Sequence, residues 1–231
     1  YVQGAIDVIF TTAHNLSRLK SINNLVSGSI TVSDATVGLS GSIADVKAAL
    51  AGTVTPSYEG IVTLSDAAYD GTNNDTTIAA SDLQAIGNAT SGAVTVTNAI
   101  KLSGTQSVVT AALVTEASKV AAAKAIVVIS DDTYDATNRN VTMNASDLSS
   151  IGNATTGTVT LTNLQRISGN QSEVTAALVT EGSKVVAGTN NTIANVTNAV
   201  TAAQGQAIAA VNNVAAAFSG GVTDSISNLY S

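Results

Sequence analysis

Residues 81–120 recur as residues 146–185 without a gap, and 28 of the 40 positions are identical. One supersecondary unit is therefore used more than once. A fixed period of this size belongs to arrays whose units bury their apolar faces against their neighbours. A third, more worn copy lies 63 to 64 residues upstream. There Leu19, Ile22 and Asn24 stand for Leu83, Ile86 and Asn88, and Val46-Lys-Ala-Ala-Leu50 stands for Val109-Thr-Ala-Ala-Leu113. The reading is an α/β fold: a repeat solenoid of short strands and short helices with a C-terminal helix. An all-β solenoid or sandwich is the alternative.

The period divides the chain into an N-terminal strand or cap at 1–15, a degenerate repeat at 16–65, repeats at 66–130 and 131–193, and a C-terminal helix and tail at 194–231. Within the repeats, Leu16, Leu19 and Ile22 have helical spacing, whereas residues 30–33 and 94–97 alternate apolar and polar as half-buried strands do. Ser42 with Asp45, and Asn170 with Glu173, read as capping boxes. Ser81 or Asp82 is expected to cap a helix that Gly87 ends, Ser103-Gly104 to turn the chain, and residues 108–120 to form one helix. Residues 199–218 give a continuous helical stripe through Val200, Ala203, Ala207, Ala210, Val211, Val214 and Phe218. That stripe is expected to cap the array or to dock on another subunit. Val2 and Ile6, on the first strand, are the candidate contact residues at the other end.

With 45% apolar residues but no Trp, two Phe and one Met, the core must be built from small and β-branched side chains. Aromatic anchors of the kind that dominate binding pockets are scarce, which favours a thin layered core. A net charge of −7 with only nine Lys and Arg argues against nucleic acid as a partner. No cysteine is present, so disulfides and thiolate chemistry are excluded. No apolar run reaches the length of a membrane span.

Hard oxygen ligands recur at one spacing in two loops. Asp66, Asp70, Asn73 and Asp75 match Asp131, Asp135, Asn138 and Asn140. Such a set could hold calcium, the one cofactor the sequence suggests, although Asp and Asn also populate turns because their side chains bond nearby backbone. A glycosidase carboxylate pair would need an apolar pocket that the sequence does not announce. His14, the only histidine, reads as an incidental polar residue. Thr95 with Thr97 and Thr160 with Thr162 raise an ice-ordering face, but recurrence every 65 residues is too sparse for adjacent rungs. Nine Asn-x-Ser/Thr sequons, only slightly more than chance gives, are compatible with glycosylation outside the cell.

The run Ser-Asp-Leu-x-x-Ile-Gly-Asn-Ala-Thr-x-Gly-x-Val-Thr-x-Thr-Asn, followed by Ser-Gly-x-Gln-Ser-x-Val-Thr-Ala-Ala-Leu, resembles the repeats of very large secreted bacterial surface proteins, including cyanobacterial ones. The resemblance covers roughly residues 16–186. It implies an extracellular or cell-surface, non-enzymatic role in adhesion, a surface layer or a matrix filament, often with calcium. The expected function is a structural subunit that forms homo-oligomers or filaments through its ends. The alternative is a calcium-dependent adhesin or phage-fibre module that presents a glycan or receptor contact.

Overall fold

The structure is a computed structural model that describes residues 5–12, 14–137, 142–188 and 192–225. Among these the chain is α/β, with seven helices and four mostly parallel sheets, none closed into a barrel. It forms two compact units, residues 1–102 with 111–125, and residues 103–110 with 126–231.

The first unit runs β1 (Val8–Ile9), α1 (Leu16–Asn23), β2 (Ile30–Thr31), β3 (Leu39–Gly41), α2 (Ile43–Leu50), β4 (Val54–Thr55), β5 (Val62–Leu64), β6 (Thr77–Ala79), α3 (Ala80–Asn88) and β7 (Val94–Val96). The boundary between the units falls within β8 (Lys101–Gly104) and α4 (Gln106–Leu113), after which β9 (Val120–Ala121) belongs again to the first. The strands pair in parallel with partners a few tens of residues away. Val8 stands beside Ile30 and Ile30 beside Val54, while Leu39, Val62, Val94 and Val120 form a second row. Alternation along each strand sends Val62, Leu64 and Val94 inward, where no solvent reaches them, and leaves Thr63 and Thr95 on the outer face.

The second unit also alternates short helices with short, parallel-paired strands. It comprises β10 (Ile126–Ile129), β11 (Met143–Asn144), α5 (Ala145–Ala154), β12 (Val159–Leu161), β13 (Arg166–Gly169), α6 (Gln171–Leu178), β14 (Val185–Val186), β15 (Thr192–Val196), α7 (Ala202–Ala209) and β16 (Val214–Phe218). Val127, Val159 and Val185 stand in one parallel row; Ile167, Ala194 and Ala216 stand in another. Leu148, Ile151 and Val174, from α5 and α6, are fully buried, as Leu83, Ile86 and Val109 are in the corresponding helices. Burying one such Leu or Ile stabilises by about 1.5–3 kcal/mol, so a core of small residues needs many rows.

Several local expectations are corrected. Neither Ser81 nor Asp82 caps α3, whose N-cap is Ala79 with no side-chain bond. Gly87 does not end that helix but lies inside it. A Cβ there would sit 2.0 Å from Ser118 O, and at Gly152, its counterpart, 1.7 Å from Ser183 O. These glycines exist to let a 3-10 turn press its backbone on the helix. Ser103-Gly104 is the end of strand β8, not a turn. The helix expected over 108–120 stops at Leu113, because Thr115 is extended and a short 3-10 turn follows that ends on left-handed Lys119.

The C-terminal helix is also corrected. Helix α7 spans eight residues, opened by a Thr201–Gln204 capping box, and ends at Ala209. Asn213 then adopts a left-handed conformation (φ 59°), and Val214–Phe218 runs as a strand in parallel with β15. The small residues of 199–218 satisfied a helical period, yet the pairing of β16 with β15 outweighs helix propensity at Val214 and Phe218.

Candidate functional site

The aspartates singled out as calcium ligands have backbone partners. Asp66 Oδ2 accepts the Ile43 N–H at 2.9 Å and Asp131 Oδ2 accepts the Gln106 N–H at 2.6 Å. Ile43 and Gln106 are the first residues of α2 and α4, where backbone donors lack intrahelical acceptors. The same contact recurs twice more: Asn198 Oδ1 accepts the Gln171 N–H at the start of α6 (2.6 Å), and Asp224 Oδ2 the Ala202 N–H at the start of α7 (3.0 Å). Each acceptor follows a Ser or Thr and lies 22 to 27 residues after the helix start it caps. The pairs Ser65-Asp66, Ser130-Asp131, Thr197-Asn198 and Thr223-Asp224 were the sequence signal for this device, visible only once the strand register is known. Burial pushes the Asp131 carboxyl above its usual range, against the pull of the Gln106 N–H.

The rest of the 66–75 loop is built as a turn. The exposed Asp70 carboxylate accepts N–H groups from Thr72 (2.8 Å), Asn73 (2.7 Å) and Asn74 (3.0 Å), with a further bond from Asn73 Nδ2. These bonds, that from Asn74 first, hold Asp70 well below the ordinary carboxylate range. Asp75 pairs with Lys101 at 3.0 Å, which raises the Lys101 ammonium, and that ammonium lies 5.4 Å from the Tyr69 ring centre. In the matching loop Asp135 accepts the Thr137 N–H, and the Arg166 guanidinium lies 5.9 Å from the Tyr134 ring. Asn138 and Asn140 lie outside the described residues. From below, Asn98 Nδ2 donates to Asp66 O, while Asn163 Nδ2 and Gln165 Nε2 donate to Asp131 O. Among the described residues no group of three or more Asp, Glu, His or Cys gathers where it could hold a metal ion.

The outer face of the first unit carries Ser40, Thr63, Thr95 and Ala121 in one column of adjacent strands. The pairing interval is shorter than the 65-residue sequence period, so the spacing objection to a hydroxyl array is removed. The array itself is small, because Thr97 and Thr162 turn their hydroxyls to Leu64 O and Ile129 O.

The residues expected at the interface fall on different elements. Val2 lies outside the described residues, and Ile6 is exposed just before β1. Val200 is buried and bridges Val222. Ala207 faces solvent on α7, which instead buries Gly205 and Ile208. Val211 is half-buried after the helix. Val214 and Phe218 share the inward side of β16, the last strand of its sheet, and both stay half-exposed where inward residues of interior strands are covered. Ile9 on β1, also a sheet edge, is 68% exposed.

An open groove of about 450 Å³ lies beside the start of α1, lined by Asn15, Leu16, Ser17, Lys20, Gly38, Ser40 and Asp45. Its two charges, Lys20 and Asp45, pair with each other. His14, expected to be incidental, is buried beside Phe10 and Tyr58. No helix among the described residues is long and apolar enough to cross a membrane. No family model, curated protein or solved structure matches the chain.

Proposed function

We propose that the chain is a non-enzymatic structural subunit of an extracellular filament, surface layer or matrix. Its strand–helix steps stack as a solenoid, and copies join through free strand edges. The mostly parallel pairing, with partners such as Val8 and Ile30 or Val62 and Val94 a few tens of residues apart, supports the stacking. The single observation that carries the assembly reading is β16. Among the described residues it is an edge strand whose inward residues Val214, Ala216 and Phe218 are only partly covered, so one more strand would find both backbone partners and an apolar seat. The chain's resemblance to bacterial surface repeats points to the same setting.

Sedimentation velocity over a concentration series, with and without calcium, tests this reading. Growth of a ladder of species with concentration is expected, and electron micrographs should show fibres or sheets. A chain that stays monomeric at millimolar concentration in both conditions defeats it. In the competing reading, a calcium-dependent adhesin, calcium at the 66–75 loop must draw the Asp70 carboxylate away from three amides. Calorimetry with calcium on the native chain and on Asp70→Ala separates the two readings.

A further inference from the structure

His14 is the only histidine of the chain. It is 5% exposed in the segment that joins β1 to α1. The Phe10 ring lies 5.7 Å from the imidazole and the Tyr58 ring 5.9 Å, edge-on. Tyr58, itself fully buried, donates its hydroxyl proton to Val37 O, so its oxygen has only lone pairs left to offer. The long 3.4 Å contact between that oxygen and His14 Nε2 is therefore one in which the imidazole donates. Nδ1 is then a bare acceptor, buried and without a partner.

A neutral ring tolerates this site, because only one nitrogen needs an acceptor. A protonated ring does not, since both nitrogens must donate and a buried charge must lose its water. Of the charged groups nearby, Asp34, on the turn after β2, favours the cation, but its exposed carboxylate is already engaged by the N–H and hydroxyl of Thr36. Arg18, on α1, stands 6.0 Å from the Phe10 ring and adds positive charge to the cluster. Tyr58 stays neutral, its hydroxyl pushed up to about 12 by burial and by the Asp34 charge. Burial prevails over Asp34 at His14 and lowers its pKa from the usual range.

We propose that His14 is an acid-operated latch on the first strand of unit 1: protonation expels the ring and frees β1 and the connection to α1 from β2. The device is independent of the assembly reading and would work in a monomer. The direction follows from proton linkage. The native state binds fewer protons than the opened one below 6.5, so the closed form is favoured at and above that pH and weakens as pH falls toward the native value.

The test follows the His14 ring proton by nuclear magnetic resonance between about pH 4 and 8, together with amide exchange on the full chain. Val8 N–H and Phe10 N–H report on the latch, since they donate to Ser29 O and Thr31 O across the β1–β2 edge. Ile30 N–H and Val32 N–H, bonded to Thr53 O and Thr55 O, report on the strand behind it. The ring is expected to titrate below 6.5. Opening at Val8 and Phe10, corrected for intrinsic exchange, should rise by up to about tenfold per pH unit below 6.5 while Ile30 and Val32 hold. His14→Phe, or His14→Gln if the first does not fold, should abolish that rise. An imidazole titrating at or above 6.5 overturns the proposal, as does a rise that survives in the variants or that includes Ile30. Should neither variant fold, the native titration and exchange profile decide alone.

Discussion

Asp131 shows how a residue that reads as a ligand can be a structural acceptor. Its raised carboxyl means that, between the unfolded value of 3.8 and the native one, the native state holds more protons than the unfolded chain. Stability therefore falls as pH rises through that window, and the ionised form is the costly one. Asn198 does the same job at α6 without a charge. Asp131→Asn should accordingly keep the cap on α4, raise the neutral-pH urea midpoint and make stability fall more steeply on acidification, because the one carboxyl whose contribution grows as pH falls is removed while the lowered carboxyls, Asp70 among them, remain; an unchanged acid limb counts against this account. The repeat supplies a second comparison at residue scale. Gly182 has no positive φ, a Cβ added to it would meet open space, and it stands where the earlier copy has Ala117. Gly182→Ala is expected to stabilise by about 0.4–1 kcal/mol in chemical denaturation, through the entropy of the unfolded chain. Loop aspartates were legible as turn formers, but the role of Asp66 and Asp131 was not, because their partners lie on a strand register that no local window contains.

At the scale of elements, segments with a strong local pattern were readable, and segments whose conformation depends on a distant partner were not. Strands β5, β7 and β12 announce themselves by Thr between two aliphatic residues, β10 by the unbroken run Ile-Val-Val-Ile, and α1, α2 and α6 by their apolar spacing and caps. Strands β8 and β13 end in Ser-Gly, which in isolation signals a turn; only pairing with a neighbouring strand makes that dipeptide extended. The same holds for β16, whose Val-Ala-Ala-Ala-Phe run is compatible with helix until Asn213 turns left-handed and β15 offers a ladder. Ser219 N donates to Val196 O, so by alternation the amides of Ala217 and Ala215 face β15, while those of Ala216 and Phe218 face the free edge. Ala216→Pro removes an edge donor without breaking the internal ladder. If copies join along β16, this change should abolish the concentration-dependent species in sedimentation and leave the melting midpoint within a few degrees. Loss of fold instead of loss of assembly would show that the assigned edge is wrong.

For the whole molecule, composition sets the terms of association. A chain of net charge −7 must bring like charges together when copies meet, whereas the contacts available at β16 are apolar and backbone. Raising salt from about 0.01 to 0.15 M shortens the screening length from roughly 30 to 8 Å, so assembly should strengthen with ionic strength. Light scattering at several salt concentrations checks this, and dissociation by salt would point to a charged interface elsewhere. The α/β class and the reuse of one unit were evident from the sequence, since 28 identical positions in 40 leave little freedom. The order of strands in the sheets was not, because each strand is two to five residues long and carries too little pattern to name its partner.

One timing follows from the acceptors at Asp66, Asp131, Asn198 and Asp224. Each belongs to a stretch synthesised after the helix whose first amide it satisfies, by 22 to 27 residues. At about 5–20 residues per second on the ribosome, the acceptor is made on the order of 1–5 s after the helix segment it closes. During synthesis, therefore, each newly emerged acceptor completes the helix start that precedes it in the chain.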